Sequence, residues 1–166
     1  MTVVQQGFRN DGFEVTAFFR NPNIHPWKEL CRRLEAVEEY STELGLPLEV
    51  DPSYPIEDYL TMLLSAEDRC RACFDERLSA TAGKAAEMGI GLFSTTLSVS
   101  PYQDQEAIIK AGETAGTEYG VKFVYRDFRS LYRESIRISR EAGMYRQPYC
   151  GCIFSERDRY LKGTCT

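Results

Sequence analysis

Strand-like and helix-like segments alternate along this chain from about residue 12 to about residue 161, and no other feature restricts its fold as much. GFEVTAFF (12–19) alternates in polarity and is rich in Phe and Val, which predicts a strand. NPNIHP (21–26) follows, and its two prolines and two asparagines mark an ordered turn. Trp27 to Leu44 predicts a helix, with Leu30, Leu34, Val37 and Leu44 on its apolar face and Gly45 as its stop. LPLEV (46–50) predicts a short strand, and Pro55 to Leu64 a short helix. Arg69 to Met88 predicts a long helix whose apolar side holds Cys73, Leu78, Ala82 and Ala86. IGLFSTTL (90–97) predicts a strand with a polar tip. Ser100 then reads as the cap of a helix that has Pro101 at its first position and runs to about Tyr119. VKFVYR (121–126) predicts a strand, Phe128 to Ala142 a helix, 143–151 a loop, and Phe154 to Leu161 a last short helix.

Such alternation argues for a parallel sheet with flanking helices. The expected architecture is one α/β domain over residues 1–166, with a Cys-containing helical segment at its C-terminal end. Ligands of such sheets bind beyond the carboxyl ends of the strands, which here carry NPNIHP, STTLSVSPY and YRDFR. The opening TVVQQGFRNDG reads as the end of a helix running into a strand. A doubly wound fold normally starts with a strand, so the first strand is expected to be missing from this chain.

A hydrophobic content of 43% supports a sizeable core and excludes wholesale disorder. No apolar run approaches the ~20 residues that cross a bilayer. The start has no basic stretch followed by an apolar one, so no secretory signal is read and the expected compartment is the cytosol. The net charge of −5 hides an asymmetry. Residues 1–121 hold 10 basic and 20 acidic residues, whereas residues 122–166 hold 10 basic and 5 acidic ones. That excludes a blanket polyanion-binding surface and leaves room for a local one. Arg126, Arg129, Arg133, Arg137 and Arg140 would form one stripe on a helix, either as a solvated face or as a phosphate contact.

Six cysteines in a chain without a secretory signal suggest metal or redox chemistry before structural disulfides. Cys70 and Cys73 form CxxC at a predicted helix start, where the helix N-terminus favours thiolate. Cys150 and Cys152 flank Gly151, whose freedom lets both thiols turn to one side. Together the pairs offer four thiolates to zinc or an iron–sulfur cluster; read separately they are two idle pairs. Cys31 reads as structural and Cys165 as part of a frayed tail. His25 reads as bonding its own turn. Asp127, between Arg126 and Arg129, reads either as a carboxylate held ionised or as a helix cap. Tyr145, Arg146, Gln147 and Tyr149 suit base stacking and phosphate contact, or a packed loop. Walker, GxGxxG and GxSxG patterns are absent.

In order and spacing, the segments NPNIHP, RCRACFDERL, FSTTLSVSPYQ, YRDFR and YRQPYCGCIFS resemble the QueH family of epoxyqueuosine reductases, over nearly all of residues 12–160. The resemblance implies an α/β fold related to HUP and PP-loop nucleotide-binding proteins. It implies reduction of the epoxide of epoxyqueuosine to queuosine at the tRNA wobble position, the last step of queuosine biosynthesis. It implies a 4Fe–4S cluster with an additional iron nearby, and assigns Cys70, Cys73, Cys150 and Cys152 as metal ligands. The family's adjacent cysteine pair at the end of its first strand lies ahead of the first residue here. Removing an epoxide oxygen also needs an acid, for which Tyr102, Asp127 and Tyr149 are the candidates. Arg126, Arg129 and Arg146 would hold the anticodon loop. The electron donor stays unspecified. Two other readings remain: a zinc-binding nucleic-acid-associated module without catalysis, and an ATP-using enzyme on a PP-loop-type fold.

Overall fold

The computed structural model describes residues 1–146 and 148–161. In chain order its elements are α1 (Thr2–Asn10), β1 (Ala17–Phe19), α2 (Trp27–Glu43), β2 (Leu48–Val50), α3 (Ile56–Ser65), α4 (Arg69–Glu87), β3 (Leu92–Phe93), α5 (Gln105–Tyr119), β4 (Lys122–Phe123), α6 (Tyr132–Glu141) and α7 (Ile153–Tyr160), with 3₁₀ turns at Thr96–Val99 and Arg129–Leu131. The fold is α/β, with short parallel strands flanked by helices. The described residues carry two two-stranded parallel ladders in place of one continuous sheet. The chain forms two compact units, one from residues 1–15 and 60–138, the other from residues 16–59 and the described residues from 139 on.

In the first unit β3 pairs with β4, Leu92 opposite Lys122 and Phe93 opposite Phe123. Helices α4 and α5 pack through Phe74, Leu78, Ala82 and Ala85 on one side and Ile108, Ala111 and Ala115 on the other, with Phe93 and Val121. The buried stripe of α4 thus runs through Phe74 and Ala85, one residue away from the predicted Cys73 and Ala86, and Cys73 is left half-buried. Small residues let α5 approach the ladder: a Cβ on Gly116 would stand 2.6 Å from the Val121 carbonyl oxygen. Backbone cannot yield cheaply, so Gly116→Ala is expected to cost ~1–3 kcal/mol, read as a lower midpoint in thermal unfolding. A second cluster joins Val3, Val4 and Phe8 of α1 to Val99 and Phe128.

Several predicted boundaries move for identifiable reasons. The strand expected from residue 12 begins only at Ala17, because residues 11–13 finish α1. Gly12 takes a φ of 88°, its N–H reaches the Arg9 carbonyl, the Phe13 N–H reaches the Phe8 carbonyl, and the two Phe rings meet edge-on at 5.8 Å. That is a Schellman stop with its hydrophobic contact. Ser100 does not cap α5. Its hydroxyl accepts the Tyr102 N–H at 3.3 Å in a local turn, and Asp104 caps the helix through the Ala107 N–H at 3.0 Å. The helix expected from Phe128 starts at Tyr132, because Asp127 accepts the Arg129 N–H at 2.9 Å and the chain makes a 3₁₀ turn first. The predicted arginine stripe is broken there: Arg126 and Arg129 lie outside α6.

In the second unit β1 pairs with β2 in parallel, Ala17 opposite Leu48 and Phe19 opposite Val50. Phe19, Ile24 and Leu30 form its core, with Leu34, Val37, Leu48 and Tyr54 against them. The buried side of α2 includes Glu29, Leu30, Arg33, Ala36 and Tyr40, whereas the expected Leu44 is exposed.

Candidate functional site

In the second unit the NPNIHP turn leaves β1, and the YCGC loop is fastened to that turn and to α2. Glu29 and Arg33, one helical turn apart, form an ion pair with side chains only 9% and 6% exposed. Arg33 Nε donates to Glu29 Oε1 at 2.8 Å, Nη1 donates to the Cys150 carbonyl at 2.9 Å, and Nη2 donates to the Tyr149 carbonyl at 3.3 Å. The guanidinium also lies over the Tyr149 ring, 5.4 Å from its centre. Tyr145 donates its hydroxyl to Glu29 Oε2 at 2.7 Å, and this bond, ahead of burial, raises its pKa. Tyr149 donates to the His25 carbonyl at 2.7 Å, while the His25 N–H donates to the Gly151 carbonyl at 3.0 Å. Gly151 has a φ of 116°, and a Cβ there would stand 2.7 Å from Ile24 Cγ1 and 2.9 Å from Arg33 Nη1. Glycine is required at this position on both counts.

His25 has a more specific setting than a bond within its own turn. Its Nδ1 lies 2.6 Å from the Tyr54 hydroxyl, and burial lowers its pKa, which favours the neutral ring. Its Nε2 and the Oδ1 of Asn23 are buried without a partner among the described residues. Cys150 is exposed and Cys152 half-buried.

In the first unit the CxxC pair opens α4. Asp68 caps the helix by accepting the Cys70 N–H at 2.8 Å and the Arg71 N–H at 3.1 Å. Cys70 is exposed and Cys73 half-buried, and their i, i+3 spacing puts them on one side of the helix. Beyond β3, Ser94 donates to the Val124 carbonyl at 2.8 Å, and Thr95 caps the 3₁₀ turn through the Leu97 N–H. The chain then reaches Tyr102, which is 81% exposed, with its ring edge-on to Tyr132 at 6.0 Å.

Of the three predicted phosphate contacts, two are occupied. Arg126 pairs with Asp11 and lies over the Phe128 ring, and Arg129 grips both oxygens of Asp127. Arg146 is exposed and has no ion pair among the described residues. The hydrogen bonds from Arg129 hold Asp127 well below the usual carboxylate range, at about 2. Asp127 is therefore an anion at neutral pH and the least suited of the three candidate acids. An NMR titration should find its pKa near that value, and Arg129→Ala should return it toward ~3.9. A depressed pKa means that the pair stabilises the fold above the ordinary value and is lost as pH falls toward 2. On so exposed a pair that contribution is small.

Cys31, Cys73 and Cys150 are free thiols, and Cys165 lies outside the described residues. The donor chemistry suits a thiophilic metal, since each short pair presents an exposed thiol beside a half-buried one. Among the described residues no three or more His, Cys, Asp or Glu side chains are grouped as a metal would need. The described helices also include none long and apolar enough to cross a membrane.

The family model for epoxyqueuosine reductase QueH matches residues 1–158, spanning both cysteine pairs and all three strand-end segments. The chain belongs to the QueH family. Similar proteins bear the same name. One from Dehalococcoides mccartyi is 40% identical over 156 residues, covering 93% of this chain and 86% of that protein. One from Thermotoga maritima is 37% identical over 156 residues, covering 87% and 81%. One from Streptococcus pyogenes is 33% identical over 157 residues, covering 87% and 62%. QueH membership makes the chain an oxidoreductase and disfavours the zinc-module reading. Sequence reasoning missed Glu29 and Arg33, whose spacing with Ala36 and Tyr40 marks the buried side of α2.

Proposed function

We propose that this chain reduces the epoxide of epoxyqueuosine in tRNA to the alkene of queuosine, with Cys70, Cys73, Cys150 and Cys152 as ligands of an iron–sulfur cluster. The observation that carries this reading is the QueH family match over residues 1–158. The reaction consumes two electrons and two protons and releases the epoxide oxygen as water. When bound to those thiols, such a cluster would relay the two electrons one at a time from an external reductant and would supply Lewis acidity to the epoxide oxygen. The chain's own part is to hold the thiols, bind tRNA and deliver a proton. Asp127 is ionised, and the Tyr149 hydroxyl is committed to the His25 carbonyl. Tyr102 is the remaining candidate acid, and because it is 81% exposed a substrate must cover it to exclude solvent. Arg146 in one unit and Arg133 in the other each offer phosphates a guanidinium with no ion pair among the described residues.

The test is anaerobic reconstitution of the chain with iron and sulfide, then incubation with epoxyqueuosine-containing tRNA and dithionite. Mass spectrometry of the nucleosides should find queuosine, one oxygen lighter. A colourless zinc protein that leaves epoxyqueuosine unchanged overturns the reading. Binding of tRNA should also weaken steeply with added salt, and a flat response counts against the arginine contacts.

A further inference from the structure

We propose that Arg33 is the positioning residue for the Cys150–Cys152 thiol pair, holding the loop in its donor conformation before any metal binds. This rests on the reading of those thiols as ligands.

The support is geometric. The carbonyls of Tyr149 and Cys150 belong to the two peptide planes on either side of the Cys150 Cα, and Arg33 Nη2 and Nη1 hold both. The next plane, which leads into Cys152, is held by the His25 N–H on the Gly151 carbonyl. A peptide unit is rigid, so fixing successive planes fixes the direction in which each Cα–Cβ bond leaves the backbone. Arg33 therefore sets the aim of Cys150 on both sides, while the His25 N–H fixes the plane that leads into Cys152. Gly151 fits the same device, since a Cβ there would collide with Arg33 Nη1. Glu29 Oε1 anchors the guanidinium on its Nε and Nη2 side, at 2.8 Å from each. Tyr145 occupies the other Glu29 oxygen, so the fork has one orientation available.

A lysine would keep the charge and lose the fork, because one ammonium cannot reproduce a planar array that meets a carboxylate and two carbonyls at once. This separates positioning from simple charge balance. The experiment is hydrogen exchange on the full metal-free chain, followed by mass spectrometry of peptides covering 21–26 and 148–153. Arg33→Lys should speed exchange in both peptides roughly tenfold or more and leave α4 and α5 unchanged. After reconstitution it should retain less iron and show a lower kcat with little change in KM for tRNA. If Arg33→Lys folds poorly, the pair Glu29→Gln and Arg33→Met removes both charges together and should give the same local loosening. Wild-type exchange in the two peptides, or faster exchange spread equally over α4 and α5, overturns the proposal. Selective loosening in a protein whose wild type fails to reduce epoxyqueuosine supports the positioning role and sinks the functional reading instead.

Discussion

Replacing Cys150 or Cys152 with serine is expected to leave the fold intact and bring epoxide reduction below ~1% of wild type, since losing even an outer-shell partner of a metal costs ~10–100-fold. Neither thiol belongs to a hydrophobic cluster of the described residues, and Cys150 is exposed. Substitutions of that kind usually shift stability by less than ~0.5 kcal/mol. Serine offers a hard oxygen in place of a soft thiolate, so iron retention should fall with activity while the melting temperature holds. Cys70→Ser and Cys73→Ser should behave alike, because Cys73 lies one residue away from the buried stripe of α4. Cys31→Ser serves as the control and should keep both iron and activity. Normal iron and sulfide content in the Cys150 and Cys152 variants would remove them from the ligand set.

The elements legible in the sequence are those in which local pattern and tertiary packing agree. The helix predicted from Trp27 to Leu44 and found at Trp27–Glu43 has a proline at its entrance and Gly45 at its exit. The helix predicted from Arg69 to Met88 and found at Arg69–Glu87 ends just before Gly89. Where two local signals competed, pattern alone chose poorly. Ser100-Pro101 and Asp104 both suit a helix start, and only the bond from Ala107 N–H decides for Asp104. GFEVTAFF alternates like a strand throughout, but its first residues complete a helix stop that depends on Phe8 meeting Phe13. The candidate site followed the same rule. Cysteine spacing is visible in one dimension. The carbonyls that Arg33 holds lie 116 and 117 residues away in the chain, and no local signal encodes them. Glu29 and Arg33 at i, i+4 read by default as a solvated pair, and only burial turns them into a scaffold.

That burial makes Glu29→Ala the substitution expected to cost most in stability, about 3–5 kcal/mol, against ~1 kcal/mol or less for an exposed pair. The substitution leaves the Arg33 guanidinium in place, with its side chain only 6% exposed, and takes away the carboxylate that balances it. It also removes the acceptor of the Tyr145 hydroxyl, which donates to the other oxygen of the same carboxylate. A domain of this size holds only ~5–15 kcal/mol in total, so the variant should unfold at a much lower urea concentration. Adding Arg33→Met should recover part of that loss by removing the uncompensated charge. Recovery stays incomplete, because the Tyr149 and Cys150 carbonyls then lose their donors, at ~1–3 kcal/mol for each one left buried and unsatisfied. A double-mutant cycle in urea separates these two costs. If Glu29→Ala costs less than ~1 kcal/mol, the pair behaves as a surface contact and the YCGC loop owes its shape to something other than α2.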